Sequence, residues 1–334
     1  MTAGPYGVPG SATPQRAVAD PAVRGPAVPH PDVTRLVTRF AELGVPTYDE
    51  LGVVAARGVL ERVTRLQAPP TEVAQVRDVL VPGAAGRLPA RVYHPDPGQR
   101  PPLVVYLHGG GWALGSVRAA DGPCRRLARE SGCVVVSVEY RLAPETAFPG
   151  PLEDCVAAVR GLHARAAELG ADPDRLVLVG DSAGGNLVAA ATLVLRDTGG
   201  PQADAQVLLY PCLWPARDSP FASYAEFADG PLMTRREMVW FWDHYLRGEA
   251  DGRDPRAAPL AAADLSGLPP ATVVVSQLDV LRDEGLAYAT RLRDSGVPTT
   301  ATVVEGAAHG FWWLDAVMTQ ADELTARLAP VLRG

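Results

Sequence analysis

The sequence predicts an α/β fold, in which a mostly parallel central sheet is covered by helices on both faces. Short runs of consecutive apolar residues alternate with helix-like stretches through most of the chain. A strand that is apolar throughout, instead of at every second position, is typical of a parallel sheet buried between helices. The runs that predict these strands span residues 103–107, 134–138, 176–179, 207–210, 272–276 and 300–304. The most regular helix-like stretches span residues 152–169, 284–294 and 318–332.

The segments before these strands predict smaller elements. Residues 1–30 are rich in Pro, Ala and Gly without periodicity, so we expect a disordered or loosely attached head. Apolar residues recur at helical spacing over residues 31–67, which indicates two short helices. Residues 73–81 and 88–93 flank the turn-forming segment 82–86 and predict an antiparallel strand pair.

The composition excludes several functional classes. A net charge of −7 and the lack of a basic cluster argue against a nucleic-acid partner. All 31 basic residues are Arg, so neither a Schiff-base nor a Ser–Lys mechanism is available. No segment has the features of a secretory signal, and no apolar run approaches the ~18 residues of a membrane span, so we expect neither.

The cysteines give no indication of a metal or a disulfide. None of the four forms a Cys-x-x-Cys pair, and no His lies at zinc-ligand spacing from them. We therefore expect reduced, buried thiols in a cytoplasmic protein without a metal site. These cysteines are Cys124, Cys133, Cys155 and Cys212.

The pentapeptide Gly-Asp-Ser-Ala-Gly at residues 180–184 predicts a nucleophile elbow. A strand-like run, 175–179, precedes it, and a helix-like stretch, 185–191, follows it. This context exposes Ser182 at the end of a sheet and at a helix N-terminus, which favours developing negative charge. The motif alone fits a serine N-cap in a Gly-rich turn equally well, so the rest of the chain must decide.

A serine nucleophile needs a base and a carboxylate that orients the base. Of the six histidines, only His309 follows a strand that comes after the serine, which matches the order Ser, Asp, His of a hydrolase fold. The orienting acid is predicted to be Asp279, at the end of the strand before it. Asp283 and Glu284 are rivals, but their positions are typical of the first turn of the next helix.

Residues 108–112, His-Gly-Gly-Gly-Trp, follow a predicted strand and supply candidate oxyanion donors. Backbone N–H groups of Gly110 and Gly111, with that of Ala183, are expected to bind the oxyanion, while Gly109 shapes the loop. A phosphate-binding loop is the alternative, but neither Gly-Lys-Ser/Thr nor Gly-x-Gly-x-x-Gly occurs here.

Aromatic residues indicate an apolar pocket. Between residues 210 and 269 no strand is predicted, and the helical stretch 234–246 is rich in aromatic side chains. Such a helix packs onto the body, forms a lid over a pocket, or does both. The candidate pocket residues are Trp112, Phe221, Trp240, Phe241 and Trp312.

Taken in order, these motifs resemble the hormone-sensitive-lipase-like family of bacterial esterases, in the branch with Asp before the serine. The resemblance runs over residues 70–330 and includes Val-Glu-Tyr-Arg-Leu-Ala-Pro-Glu at 138–145, which we interpret as a structural support for the glycine loop. It implies an α/β-hydrolase fold with a helical cap, the triad Ser182, Asp279 and His309, and hydrolysis of short- to medium-chain acyl esters by water. The family uses no cofactor, and many members form homodimers.

The resemblance also implies a domain organisation. Residues 31–70 would contribute to the cap, residues 71–334 would form the catalytic domain, and the cap insertion would span about 211–262. One departure concerns the acid loop, because Val280 occupies a position that is usually Pro in this family.

Two other functions fit the same residues. A biosynthetic acyltransferase, lactonase or lyase would use the same triad but hydrolyse model esters poorly. A non-catalytic ligand receptor on this fold is a remote alternative, since receptors of this kind tend to lose a triad member.

Overall fold

A computed structural model describes residues 27–334, so residues 1–26 of the predicted head lie outside the described range. Within that range, eight strands form one sheet in the order β1-β2-β4-β3-β5-β6-β7-β8. β1 and β2 pair antiparallel, as do β2 and β4, and the remaining neighbours are parallel. The strands are β1 Gln75–Gly83, β2 Gly86–His94, β3 Pro102–Leu107, β4 Val134–Val138, β5 Asp172–Asp181, β6 Ala205–Leu209, β7 Ala271–Leu278 and β8 Thr299–Ala308.

Every strand predicted from the sequence is present, and the α/β-hydrolase fold is confirmed. All five residues of β4 are buried, and four of them are valines. Along β3, Leu103, Val105 and Leu107 belong to one hydrophobic cluster, whereas Val104 and Tyr106 belong to a second one on the opposite face. The sheet therefore has a core on each side.

Helices cover both cores. Residues of α1, α3 and α9 pack in one cluster, and residues of α4, α5 and α8 pack in the other. The predicted helix 152–169 divides into α4 and a short 3₁₀ helix, Ala166–Leu169. The helices are α1 Pro31–Glu42, α2 Val53–Val63, α3 Asp121–Ser131, α4 Gly150–Ala164, α5 Ala183–Asp197, α6 Ser223–Glu226, α7 Arg235–Tyr245, α8 Arg282–Asp294 and α9 Gln320–Arg333.

The segment before α2 meets the insertion between β6 and β7. The amide of Tyr48 donates to the Glu237 carboxylate of α7 at 2.9 Å, and its ring lies 5.8 Å from that of Phe241. By contrast, α1 is fixed to the body, because the Asp32 carboxylate accepts the amide of Thr319 at 3.0 Å. The contact with the insertion is thus made by the turn at Tyr48.

Two further features concern the helices and the cysteines. Over residues 27–334, no helix combines the length and the hydropathy that crossing a bilayer requires. All four cysteines are buried free thiols, as expected from their spacing.

Candidate active site

Ser182 stands in a strained turn between β5 and α5. Its φ of 54° and ψ of −120° are unusual for a residue other than glycine. A Cβ atom on Gly184 would lie 1.9 Å from the Leu107 carbonyl oxygen, so only glycine lets α5 approach β3 this closely. The Ser182 amide donates to the Leu209 carbonyl at 2.8 Å. The serine is therefore held at the carboxyl edge of the sheet.

The structure brings the three predicted catalytic side chains together. Ser182 Oγ lies 2.9 Å from His309 Nε2, and His309 Nδ1 lies 2.7 Å from Asp279 Oδ2. The second oxygen of Asp279 accepts the Leu281 amide at 3.0 Å. Asp279 directly follows β7 and His309 directly follows β8, and both side chains are almost completely buried.

The rival acids serve other contacts. Asp283 accepts the amide of Ser223 at 2.9 Å, and Glu284 accepts that of Leu213 at 2.6 Å. Each therefore fastens the insertion to the start of α8. The Ser223 hydroxyl also donates to the Val280 carbonyl at 2.6 Å. This bond supports the loop that carries Asp279 at the position where the family resemblance predicts proline.

The electrostatics of His309 suit a proton acceptor. Burial lowers the pKa of its imidazole, but the charge of Asp279 and their hydrogen bond outweigh that effect and raise the pKa above its usual value. A base with a raised pKa accepts a proton readily once it is neutral. The Asp279 carboxylate also fixes which ring nitrogen carries the proton, leaving Nε2 free to face the serine.

The Gly110 carbonyl sets the direction of the Gly111 amide in the loop after β3. The Gly110 carbonyl accepts the amides of Ala113 at 3.2 Å and Leu114 at 2.8 Å. In a planar trans peptide the N–H points opposite to the carbonyl, so the Gly111 N–H points away from this turn. Ala183 is the first residue of α5, where N–H groups lack an intrahelical acceptor.

Asp181 connects this loop to the nucleophile, a role that the sequence analysis missed. Its Oδ1 accepts the Gly109 amide at 2.9 Å and the Tyr106 hydroxyl at 2.5 Å. Burial raises the pKa of Asp181 in spite of these bonds, which lower it. The Gly109 N–H is thus engaged with Asp181 and shapes the loop, as expected. The position of Asp181 next to Ser182 could have pointed to this role, but the residues that its side chain binds are distant in the sequence.

Asn186, on the first turns of α5, was also missed. Its side chain donates to the carbonyls of Cys212 and Ala257, both at 2.8 Å. Its oxygen accepts the indole N–H of Trp112 at 3.3 Å. One buried amide therefore joins the elbow helix, the insertion and the glycine loop.

Two of the five predicted pocket residues are enclosed elsewhere. The ring of Trp112 is completely buried and stacks on Tyr245 with centroids 4.3 Å apart. Trp312 donates to the Thr325 hydroxyl at 2.9 Å, in the hydrophobic cluster beneath α9. Both support the fold from behind the site, and their prediction as pocket residues is corrected accordingly.

Phe241, another of the pocket candidates, packs directly against the glycine loop. A Cβ on Gly111 would lie 2.0 Å from its ring, so the ring rests directly on that glycine. Trp240 packs edge-on against Phe241 with centroids 5.0 Å apart and is partly exposed. Phe221 is buried in the insertion, just before α6. Cys212 Sγ lies 3.7 Å from Ser182 Oγ.

Residues 138–145 support the loop, as interpreted from the sequence. The Tyr140 hydroxyl donates to the His108 carbonyl at 2.6 Å, and the two rings stack 4.3 Å apart. The Ala143 amide donates to the Trp112 carbonyl at 2.9 Å.

Within residues 27–334, no group of three or more His, Cys, Asp or Glu side chains is arranged to hold a metal ion.

Comparisons with known proteins point to one family. A family model described as an alpha/beta hydrolase fold matches residues 104–313. The carboxylic ester hydrolase LipN of Mycobacterium tuberculosis is 41% identical over 265 residues, which cover 78% of this chain and 70% of LipN. Carboxylesterase NlhH of the same organism is 37% identical over 312 residues, covering 90% and 96%. The solved esterase of Pyrobaculum calidifontis is similar with a TM-score of 0.87 and 36% identity, covering 92% and 98%.

We expect Asp279→Asn to lower the pKa of His309, because the substitution removes the charge that raises this pKa and leaves the burial that lowers it. A base works only when neutral, so native activity falls as the pH drops through the raised pKa. In the variant, this loss of activity should occur at lower pH, and the maximal rate should drop on the order of 10³–10⁴-fold. NMR titration of ¹³C-labelled histidine measures the pKa directly. An unchanged or higher pKa of His309 would contradict this assignment.

Asp181→Ala is expected to slow the reaction of Ser182 with a fluorophosphonate by about 10-fold or more, since the glycine loop loses its link to the elbow. Each buried donor left unpaired should also lower the free energy of unfolding by about 1–3 kcal/mol. Asp181→Asn keeps an oxygen acceptor and should react much more nearly at the native rate. Equal rates for the Ala variant and the native protein would show that Asp181 does not hold the loop.

Proposed function

Because the chain belongs to the α/β-hydrolase fold family, in its hormone-sensitive-lipase-like branch, and is a carboxylic ester hydrolase, we propose that it works through an acyl-enzyme on Ser182. The observation that carries this proposal is the unbroken hydrogen-bonded line from Asp279 through His309 to Ser182, with distances of 2.7 and 2.9 Å. The line ends on a serine in a strained elbow at a helix N-terminus.

In the first half-reaction, His309 Nε2 takes the hydroxyl proton of Ser182 while Oγ attacks the ester carbonyl carbon. The carbonyl π electrons move to oxygen and form the oxyanion. As the tetrahedral intermediate collapses, the bond to the alcohol oxygen breaks, and His309 returns its proton to the leaving alkoxide. The acyl group remains as an ester on Ser182.

In the second half-reaction, water replaces the alcohol. It gives a proton to His309 Nε2 and attacks the acyl carbon, and a second tetrahedral intermediate forms. Collapse then breaks the bond to Ser182 Oγ, which regains its proton from His309, and the carboxylic acid leaves. Throughout, Asp279 accepts the Nδ1–H and stabilises the imidazolium.

The oxyanion is proposed to bind the N–H groups of Gly110, Gly111 and Ala183. Support comes from the direction of the Gly111 amide, opposite to the Gly110 carbonyl, and from the position of Ala183 at the start of α5. Donors that are fixed before the reaction need no reorganisation when charge develops, and losing one such donor typically costs about 3–4 kcal/mol.

We propose short- to medium-chain acyl esters as substrates. The ring of Phe241 rests on Gly111 and contacts Tyr48, so aromatic side chains cover the space next to the oxyanion donors. Such a wall favours uncharged acyl groups and limits their length.

The free, buried cysteines support a cytoplasmic location, where thiols stay reduced. From the family resemblance we also propose a homodimer, which light scattering would test.

Ser182→Ala is expected to abolish hydrolysis of p-nitrophenyl acetate, since it removes the hydroxyl that lies 2.9 Å from His309 Nε2. Mass spectrometry of the native protein after fluorophosphonate treatment should place the label on Ser182. Substantial activity in the variant, or a label on another residue, would rule out the proposed nucleophile. A slow native rate with water but a fast rate with an added alcohol would instead favour acyl transfer.

Phe241→Ala is expected to shift the acyl-length optimum toward longer chains, because it removes the ring next to Gly111. The measurement is kcat/KM for p-nitrophenyl esters from acetate to palmitate, in the native protein and the variant. Asp243→Ala, on the same helix but in an exposed ion pair with Arg217, is the matched control and should leave the profile unchanged. A native optimum at palmitate would contradict the proposed substrate class.

A further inference from the structure

We propose that Arg57, on α2 of the cap, is a positioning residue that orients and polarises the Gly111 amide of the oxyanion hole. The inference rests on the proposed function, because it concerns a donor to the oxyanion. Arg57 lies outside every motif recognised in the sequence and outside the segment that the family model matches.

The side chain of Arg57 reaches two loops at once. Its Nε donates to the Ala113 carbonyl at 2.8 Å, and one terminal nitrogen donates to the Ala143 carbonyl at 3.0 Å. The guanidinium also forms a bidentate pair with Glu145, with distances of 2.8 and 2.7 Å. Ala143 in turn donates its amide to the Trp112 carbonyl at 2.9 Å, so both loops are fixed to one another beneath Arg57.

A relay of two peptide groups connects Arg57 to the oxyanion donor. The Ala113 carbonyl that accepts from Arg57 shares its peptide with the Leu114 N–H. That N–H donates to the Gly110 carbonyl at 2.8 Å, and this carbonyl shares its peptide with the Gly111 N–H. All bonds of the relay run in the same direction, from the guanidinium toward the oxyanion.

Such a chain has an electronic consequence as well as a steric one. Hydrogen bonds in series polarise one another, by perhaps ~10–30% per bond in condensed phases. A cation at the donating end makes each successive N–H a stronger donor. Arg57 therefore increases the positive character of the Gly111 N–H while it holds the peptide plane in place.

The ion pair alone does not explain this arrangement. The Arg57 and Glu145 side chains are 30% and 62% exposed, and exposed pairs contribute little to stability. The hydrogen bond from Arg57 lowers the pKa of Glu145 to about 2, so the pair stays charged at the pH where His309 is neutral. The bonds to backbone carbonyls are the contacts that bear on the glycine loop.

A graded series of variants separates orientation, charge and packing. Arg57→Lys keeps a charged donor, Arg57→Gln keeps a neutral donor, and Arg57→Met keeps neither. We expect kcat for p-nitrophenyl acetate to fall in that order, reaching on the order of 10- to 100-fold in Arg57→Met. KM should change little, because the oxyanion contact is made only in the transition state.

Two controls address a merely structural role. Arg118→Met breaks the ion pair between Glu61 of α2 and the same part of the catalytic domain, without touching a carbonyl of the glycine loop. Glu145→Gln weakens the ion pair of Arg57 but leaves its bonds to Ala113 and Ala143. Both controls should keep kcat within about twofold of the native value, and thermal unfolding shows whether any variant is less stable.

A spectroscopic readout is independent of turnover. In the phosphonylated protein, the Gly111 amide proton should resonate upfield in Arg57→Met relative to native protein, and it should stay in place in Arg118→Met. An unchanged kcat in Arg57→Met, an effect confined to KM, or an equal loss in Glu145→Gln would overturn the inference. If the native label were not on Ser182, the proposed nucleophile itself would be wrong; a labelled Ser182 with full activity in Arg57→Met would refute the role of Arg57 alone.

Discussion

The close approach of α5 to the end of β3 is the constraint on which the site depends. Because Gly184 has no Cβ, the first turn of α5 lies directly against the Leu107 carbonyl. A Cβ there would also lie 2.7 Å from the His108 carbonyl oxygen, so the start of α5 lies against the first residue of the glycine loop. This contact also brings Asp181 within 2.9 Å of the Gly109 amide. One packing contact thus positions both the proposed nucleophile and the proposed oxyanion donors, and the Leu209 carbonyl of β6 helps to hold Ser182 in its strained conformation.

The charges around this contact are unevenly distributed. Asp279, Asp181 and Glu237 all raise the pKa of His309, against the effect of its burial. In the proposed mechanism, these carboxylates stabilise the imidazolium of His309, but they disfavour the oxyanion that forms with it. The oxyanion must therefore be stabilised by oriented N–H groups at short range. This requirement gives a physical reason for a cation such as Arg57 at the far end of the relay that leads to Gly111.

Sequence patterns predicted the features that depend on the local order of residues. They failed where contacts between residues distant in the sequence determine the structure. The strands were found because burial on both faces leaves an apolar run, as in residues 103–107 of β3. Asp279 and His309 were found because parallel strands end at the same edge. The direction of an aromatic ring is not encoded in this way: Trp112 has a φ of 59°, which turns its side chain onto Tyr245. Arg57 had no signal, since its acceptors are backbone carbonyls 56 and 86 residues away.

The proposed cap therefore has a second proposed role, in the geometry of the catalytic site, besides covering that site. From the N-terminal side, Arg57 contacts the loop that carries the proposed oxyanion donors. From the insertion, Ser223 donates to the Val280 carbonyl, next to the catalytic acid, at 2.6 Å. The two pieces of the cap meet where Tyr48 binds Glu237. A change in the cap that alters the space for the acyl group can thus also move an oxyanion donor or Asp279, which couples substrate preference to the rate of the chemical step.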